Sequence, residues 1–106
     1  MSPGKLAAQA GHAFLDSFVQ AVPQLQYEYR AVGHGTKVTL AADSLDALLR
    51  AEHQCRLDGI PCALITDAGH VLPPHFTGAP IITALGFGPA RRDEVRHITK
   101  RFALVA

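Results

Sequence analysis

The sequence predicts an α/β protein in which helices cover a small β-sheet. Three observations carry that expectation. Amphipathic stretches at helical spacing alternate with two short continuous apolar runs and one alternating run. Glycine and proline turn signals separate these stretches. The 106 residues, 48% hydrophobic and only 18% charged, suffice for one core and one domain spanning residues 1–106. The order that results is helix, strand, helix, strand, strand, helix.

Ser2-Pro3 opens the first helix, with Ser2 as cap and proline in the first turn. Leu6, Ala10, Ala13, Phe14 and Phe18 make an apolar flank. Lys5, Gln9, His12 and Asp16 recur at helical steps and are expected side by side on the other flank. A helix N-terminus beside a lysine also suits an anion such as phosphate. Pro23 interrupts, and residues 23–30 form either a short second helix or an irregular link. Gly33-His34-Gly35 is a turn. Residues 36–41 then alternate, Val38 and Leu40 against Lys37 and Thr39, as a half-exposed strand does.

Asp43 and Ser44 cap a helix that runs to about Asp58 on Leu45, Leu48, Leu49 and Cys55, and Gly59 takes the left-handed position after it. Residues 60–66 are a continuous apolar run, expected as a strand covered on both faces. Asp67-Ala68-Gly69 turns the chain into a loop over residues 70–80 that holds three prolines and a glycine. Residues 81–87 form a second apolar strand, closed by Gly88-Pro89. Residues 92–102 set Val95, Ile98 and Phe102 on one side of a surface helix.

Charge and motif content narrow the function classes. A formal net charge of +1 gives little bulk attraction to nucleic acid or anionic membrane, so an anionic partner needs a local cluster. Arg91, Arg92, Arg96, Lys100 and Arg101 supply one that an RNA backbone can follow. No apolar run reaches the length of a membrane span and no signal peptide is visible, so a cytoplasmic location is expected. Cys55 and Cys62 lack a metal-type pair spacing and read as buried free thiols of a reducing compartment. His34, His53, His70, His75 and His97 show no ligand-like spacing, and no phosphate loop of Walker or Rossmann type occurs. Without an exposed nucleophile motif, direct attack by water is favoured over a covalent intermediate.

Four segments in order carry a resemblance. They are Gly4-Lys5-Leu6-Ala7-Ala8-Gln9-Ala10-Gly11-His12-Ala13, Lys37-Val38-Thr39-Leu40, Asp67-Ala68-Gly69 after an apolar strand, and Thr83-Ala84-Leu85-Gly86-Phe87-Gly88-Pro89. Together they resemble a divergent member of the type-2 peptidyl-tRNA hydrolase family, known from archaea, eukaryotes and some bacteria. The resemblance implies a four-stranded mixed sheet flanked by helices. It also implies cleavage of the ester between a peptide and the 3′ end of tRNA, with no metal or other cofactor. The chain departs from the family pattern in three places. The family's first strand normally precedes the Gly-Lys segment, a basic residue and a threonine normally stand where His70 and Val71 do, and the loop after them is longer here.

That chemistry assigns roles to particular residues. Lys5 is the electrostatic stabiliser of the developing oxyanion. Asp67, beyond the carboxyl end of an apolar strand, orients water or acts as base. Thr83 donates to the substrate or to Asp67, Gln9 holds a substrate carbonyl through its amide, and His12 serves as acid or base. Arg91, Arg92, Arg96 and Lys100 contact the tRNA, and Tyr27 and Tyr29 are candidates for stacking on a terminal base. The whole reading requires Lys5 and Asp67 to converge on one cleft. A catalytically eroded module of the same fold, binding RNA or protein, is the alternative that Val71 favours. A third is a small-molecule enzyme or sensor lidded by the 70–80 loop. A sheet without the preceding strand exposes an apolar edge, from which a homodimer is expected.

Overall fold

The computed structural model describes residues 2–33, 35–67 and 81–105. Along the chain lie α1 (Pro3–Gln20), α2 (Pro23–Ala31), β1 (Leu40–Ala41), α3 (Leu45–Leu57), β2 (Cys62–Asp67), β3 (Ile81–Phe87), α4 (Arg92–Thr99) and β4 (Ala103–Leu104). The expected α/β class holds, with helices flanking short strands. Among the described residues the strands pair as two antiparallel ladders, β2 with β3 and β1 with β4. The 70–80 loop, with His70, Val71 and His75, lies outside the described residues, as does His34.

Local chemistry fixes the helix ends. Ser2 Oγ accepts from the Lys5 backbone N–H at 3.1 Å, and Pro3 needs no partner for a missing donor. Proline also starts α2, which makes it a helix rather than an irregular link, and the Gln26 side chain closes the α1–α2 corner by donating to the Ala21 carbonyl at 2.8 Å. Ser44 caps α3 through the Ala47 N–H at 3.1 Å. At its other end Gly59 adopts φ +70°, letting the Ile60 N–H reach back to the Cys55 carbonyl at 2.9 Å. Pro61 has no N–H to offer, so β2 begins at Cys62 and runs to Asp67 rather than covering 60–66.

Two expectations need correction. The strand read over 36–41 is ordered as a strand only at Leu40 and Ala41, because its partner β4 offers two residues, and Val38 is exposed. The last helix stops at Thr99 instead of Phe102, and the freed segment turns to supply β4, an element the sequence pattern did not suggest.

The β2–β3 ladder is the centre of a three-layer sandwich. α1 packs on one face and α3 on the other. Ala51 and Cys55 of α3, Ile60 and Ile98 of α4 form the buried core, with Cys62, Leu85, Phe87, Val95 and Phe102 packed against it. On the opposite face α1 buries Gln9, Ala13 and Ser17, spaced one turn apart. A methyl group at Gly86 would collide with the Ala13 carbonyl oxygen, so only glycine lets α1 come this close to β3.

Candidate active site

The buried face of α1 differs from the expected one. Lys5, Gln9, His12 and Asp16 do not stand together. Gln9 turns into the sheet, Lys5 is half-buried at its border, and His12 and Asp16 face solvent. The reason is steric. Small residues at positions 9+4 and 9+8, Ala13 and Ser17, allow a close approach at Gly86, and that rotation carries Gln9 inward while Leu6, Ala10, Phe14 and Phe18 stay half-buried at the margins.

Gln9 meets a partner there. Thr83 donates its hydroxyl hydrogen to Gln9 Oε1 at 2.8 Å, with the Ile65 carbonyl a second, longer acceptor at 3.4 Å. Strand alternation alone would send Thr83 the other way, since it shares parity with Leu85 and Phe87, which pack in the α3–α4 core. A register shift reverses this. Ile65 pairs with Ala84 and Thr66 with Ile82, leaving Thr83 as the extra residue of a β-bulge. The bulge re-aims Thr83 to the α1 face. No signal in the sequence marks that bulge.

The contacts also fix direction. Gln9 sits at Thr83 and Ala13 at Gly86, so α1 runs parallel to β3 and its N-terminus overhangs the start of β3. Lys5 lies one turn before Gln9, a rise of about 6 Å. At that same end Asp67 pairs with Ile81, two positions from Thr83. The fold thus brings Lys5, Gln9 and Thr83 and the backbone of Asp67 to one end of the sandwich. His12 is brought to no such meeting point.

The sequence comparisons decide the lineage of this arrangement. The family model described as "Peptidyl-tRNA hydrolase PTH2" matches residues 1–105. A peptidyl-tRNA hydrolase of Methanococcus vannielii is 35% identical over 109 residues, covering 99% of this chain and 89% of the relative. One from Methanocaldococcus jannaschii is 32% identical, covering 99% and 90%. One from Methanothermobacter thermautotrophicus is 36% identical over 99 residues, covering 93% and 84%. The chain belongs to the PTH2 family.

In this PTH2 chain the remaining candidates are spread over the molecule. The turn at residues 58–61 reverses the chain, so α3 and β2 run antiparallel, and both are about 20 Å long. The first turn of α3 therefore comes level with Asp67. α4 runs antiparallel to α3, since His97 Nε2 meets the Asp58 carboxylate at 2.6 Å while Arg101 and Phe102 lie beside Asp43, Ala47 and Arg50. Arg91 and Arg92 consequently sit at the end away from Asp67, with Arg91 paired to Asp93 at 3.3 Å. Arg96 and Lys100 are exposed. Tyr29 is engaged with the Phe18 ring at 5.8 Å and with Lys37 Nζ at 5.5 Å, whereas Tyr27 is exposed beside a concavity of about 520 Å³ along α2. Among the described residues no group of three or more His, Cys, Asp or Glu side chains gathers as metal ligands, and no helix is long and apolar enough to cross a membrane.

Proposed function

We propose that this chain hydrolyses the ester joining a peptide to the 3′ end of tRNA, by direct attack of water at the end of the sandwich that carries Lys5. Water adds to the ester carbonyl, the oxyanion forms beside the Lys5 ammonium, and the ribose oxygen leaves with a proton. The products are a free peptide acid and tRNA with its 3′ end restored. Asp67 orients the water and accepts its proton. Thr83 and Gln9 hold the first turns of α1 over the strand ends, and the Gln9 amide nitrogen offers a donor to the substrate. His12, turned to solvent, takes no part. The observation that supports this reading is the Thr83–Gln9 hydrogen bond, which fixes the Lys5 end of α1 over the Asp67 end of β2.

The partner is tRNA, met by the exposed Lys100 that follows α4. Two further features belong to the same reading. Leu15 and Val19 are 61% and 56% exposed on the outer side of α1, which suits pairing of two copies as a homodimer. The two free cysteines fit a cytoplasmic location. Light scattering at several concentrations reads the dimer, and a concentration-independent monomer removes it.

The decisive experiment follows release of free tRNA from an N-blocked aminoacyl-tRNA. Wild-type protein accelerates release above the spontaneous rate, and Lys5→Gln and Asp67→Asn each lower kcat by about 10²–10³. Wild-type turnover no faster than spontaneous hydrolysis rejects the proposal, as do variants that both keep the full rate. Salt-dependent tRNA retention without turnover would mark the eroded binding module instead.

A further inference from the structure

We propose that the groove between α3 and the segment after α4 holds the RNA backbone of the substrate, with Arg50 and Arg101 as its phosphate ligands and Phe102 as its floor. This rests on the tRNA reading above and deepens it by joining Arg101, the last residue of the basic run, to Arg50 of α3 in one contact surface. The groove has a volume of about 210 Å³ and is lined by Asp43, Ala47, Arg50, Arg101 and Phe102.

Arg50 and Arg101 come from separate elements and line one concavity. Arg56 and Arg91 are already engaged by carboxylates, Glu52 at 2.8 Å and Asp93 at 3.3 Å, whereas Arg50 and Arg101 are set apart by lining one concavity together. Among the described residues neither Arg50 nor Arg101 forms an ion pair, although Asp43 lines the same groove. Guanidinium groups suit phosphate because their donors form a planar fork that matches two oxygens at once. The mounting is firm. Phe102 packs against the Ile98–Cys55 core, and the Arg101 N–H donates to the Ile98 carbonyl at 3.2 Å. Phe102 is half-buried, so it presents an apolar floor rather than a mobile ring.

Position gives the occupant. The groove lies where the first turns of α3 meet the residues following α4, and that is the end of the sandwich shared with Lys5 and Asp67, on the opposite face. An RNA strand whose 3′ terminus reaches Lys5 passes its preceding phosphates around that end toward the two arginines. With a net charge of only +1, such local pairs must supply what bulk charge does not.

The test uses the full chain and deacylated tRNA, so binding is read without turnover. Titrations at several salt concentrations compare wild type, Arg50→Gln/Arg101→Gln, Asp43→Asn and the charge-matched control Arg30→Gln/Arg56→Gln. The double groove variant is expected to raise Kd about tenfold and to flatten the slope of log K against log salt by about 1.5. Asp43→Asn tightens binding, and the control shifts Kd less than about threefold. With N-blocked aminoacyl-tRNA the groove variant raises KM and leaves kcat near wild type. Equal losses in the groove and control variants overturn the proposal, as does a groove variant that binds like wild type or a wild-type chain that does not bind tRNA. If Arg50 and Arg101 govern binding while wild type fails to hydrolyse the ester, the hydrolase reading falls and this one stands.

Discussion

Thr83 of β3 donates to Oε1 of Gln9 on α1 at 2.8 Å, joining residues 74 positions apart from a site where a regular strand would face the other layer. The bulge that turns Thr83 toward α1 and the glycine that admits α1 three residues later act on one contact surface. Gly86 sets how close the helix comes, and Thr83 sets where along β3 it stops. Together they determine how the N-terminal turns of α1, which carry Lys5, lie along the start of β3.

Removing the donor while keeping the shape tests the first of these. Thr83→Val leaves the 9%-exposed Gln9 with a carbonyl oxygen facing a methyl group. The expected loss is about 1–3 kcal/mol of stability, seen as a lower Tm. Turnover drops about tenfold, the equivalent of one lost hydrogen bond. Thr83→Ser keeps the hydroxyl and stays near wild type in both readouts. Serine and valine variants of equal stability and rate would show that the bond carries nothing.

The second device is steric. Gly86→Ala places a methyl group against the Ala13 carbonyl oxygen, so α1 must shift outward. A cost of about 1–3 kcal/mol is expected from overpacking, with turnover lost as Lys5 moves. Because the obstruction is backbone, adding Ala13→Gly restores neither. Chemical denaturation of the single and double variants checks this, and rescue by Ala13→Gly would contradict it.

Much of this architecture was legible from local signals. Ser44 and Gly59 bracket α3 as capping rules require, and residues 81–87 form the strand their apolar run suggested. The polar row of α1 was misleading because periodicity gives the faces of a helix but not which one the sheet will accept. Gln9 is readable from the sequence as a candidate site residue, yet its burial depends on Gly86, 77 positions away. The bulge at Thr83 arises from pairing with β2 and has no composition of its own. Arg50 carries no mark in the sequence for a similar reason: it joins Arg101 only once α3 packs beside the segment after α4.

The α3–α4 contact carries a pH dependence. Asp58 accepts from Gln54 Nε2 at 3.1 Å and meets His97 at 2.6 Å, and these hydrogen bonds, Gln54's first, hold its carboxyl below the usual aspartate value. A carboxyl depressed in the fold adds stability above its unfolded value, about 3.9, and that stability is lost as pH falls through the folded value. Asp58→Asn therefore lowers Tm at neutral pH, and the gap to wild type closes below about pH 4. A gap that is constant from pH 7 to pH 3 would show that charge on Asp58 is irrelevant.

The opposite sign holds at Cys55. Burial, reinforced by Cys62, Asp58 and Glu52, pushes its thiol from 9.0 up to about 12. The fold keeps this group protonated where the unfolded chain ionises it, so stability falls as pH rises past about 9. Cys55→Ala shrinks that alkaline decline to the part left by Cys62, whose thiol desolvation also raises, although it lowers stability at neutral pH by leaving a gap beside Ile98. Reactivity gives an independent measure, because the thiolate is the attacking form. With an alkylating reagent at pH 8 the native protein should label at half-buried Cys62 well before Cys55, and denaturant should bring the two rates together. Equal labelling in the native state would mean that the α3–α4 core opens far more readily than its packing implies.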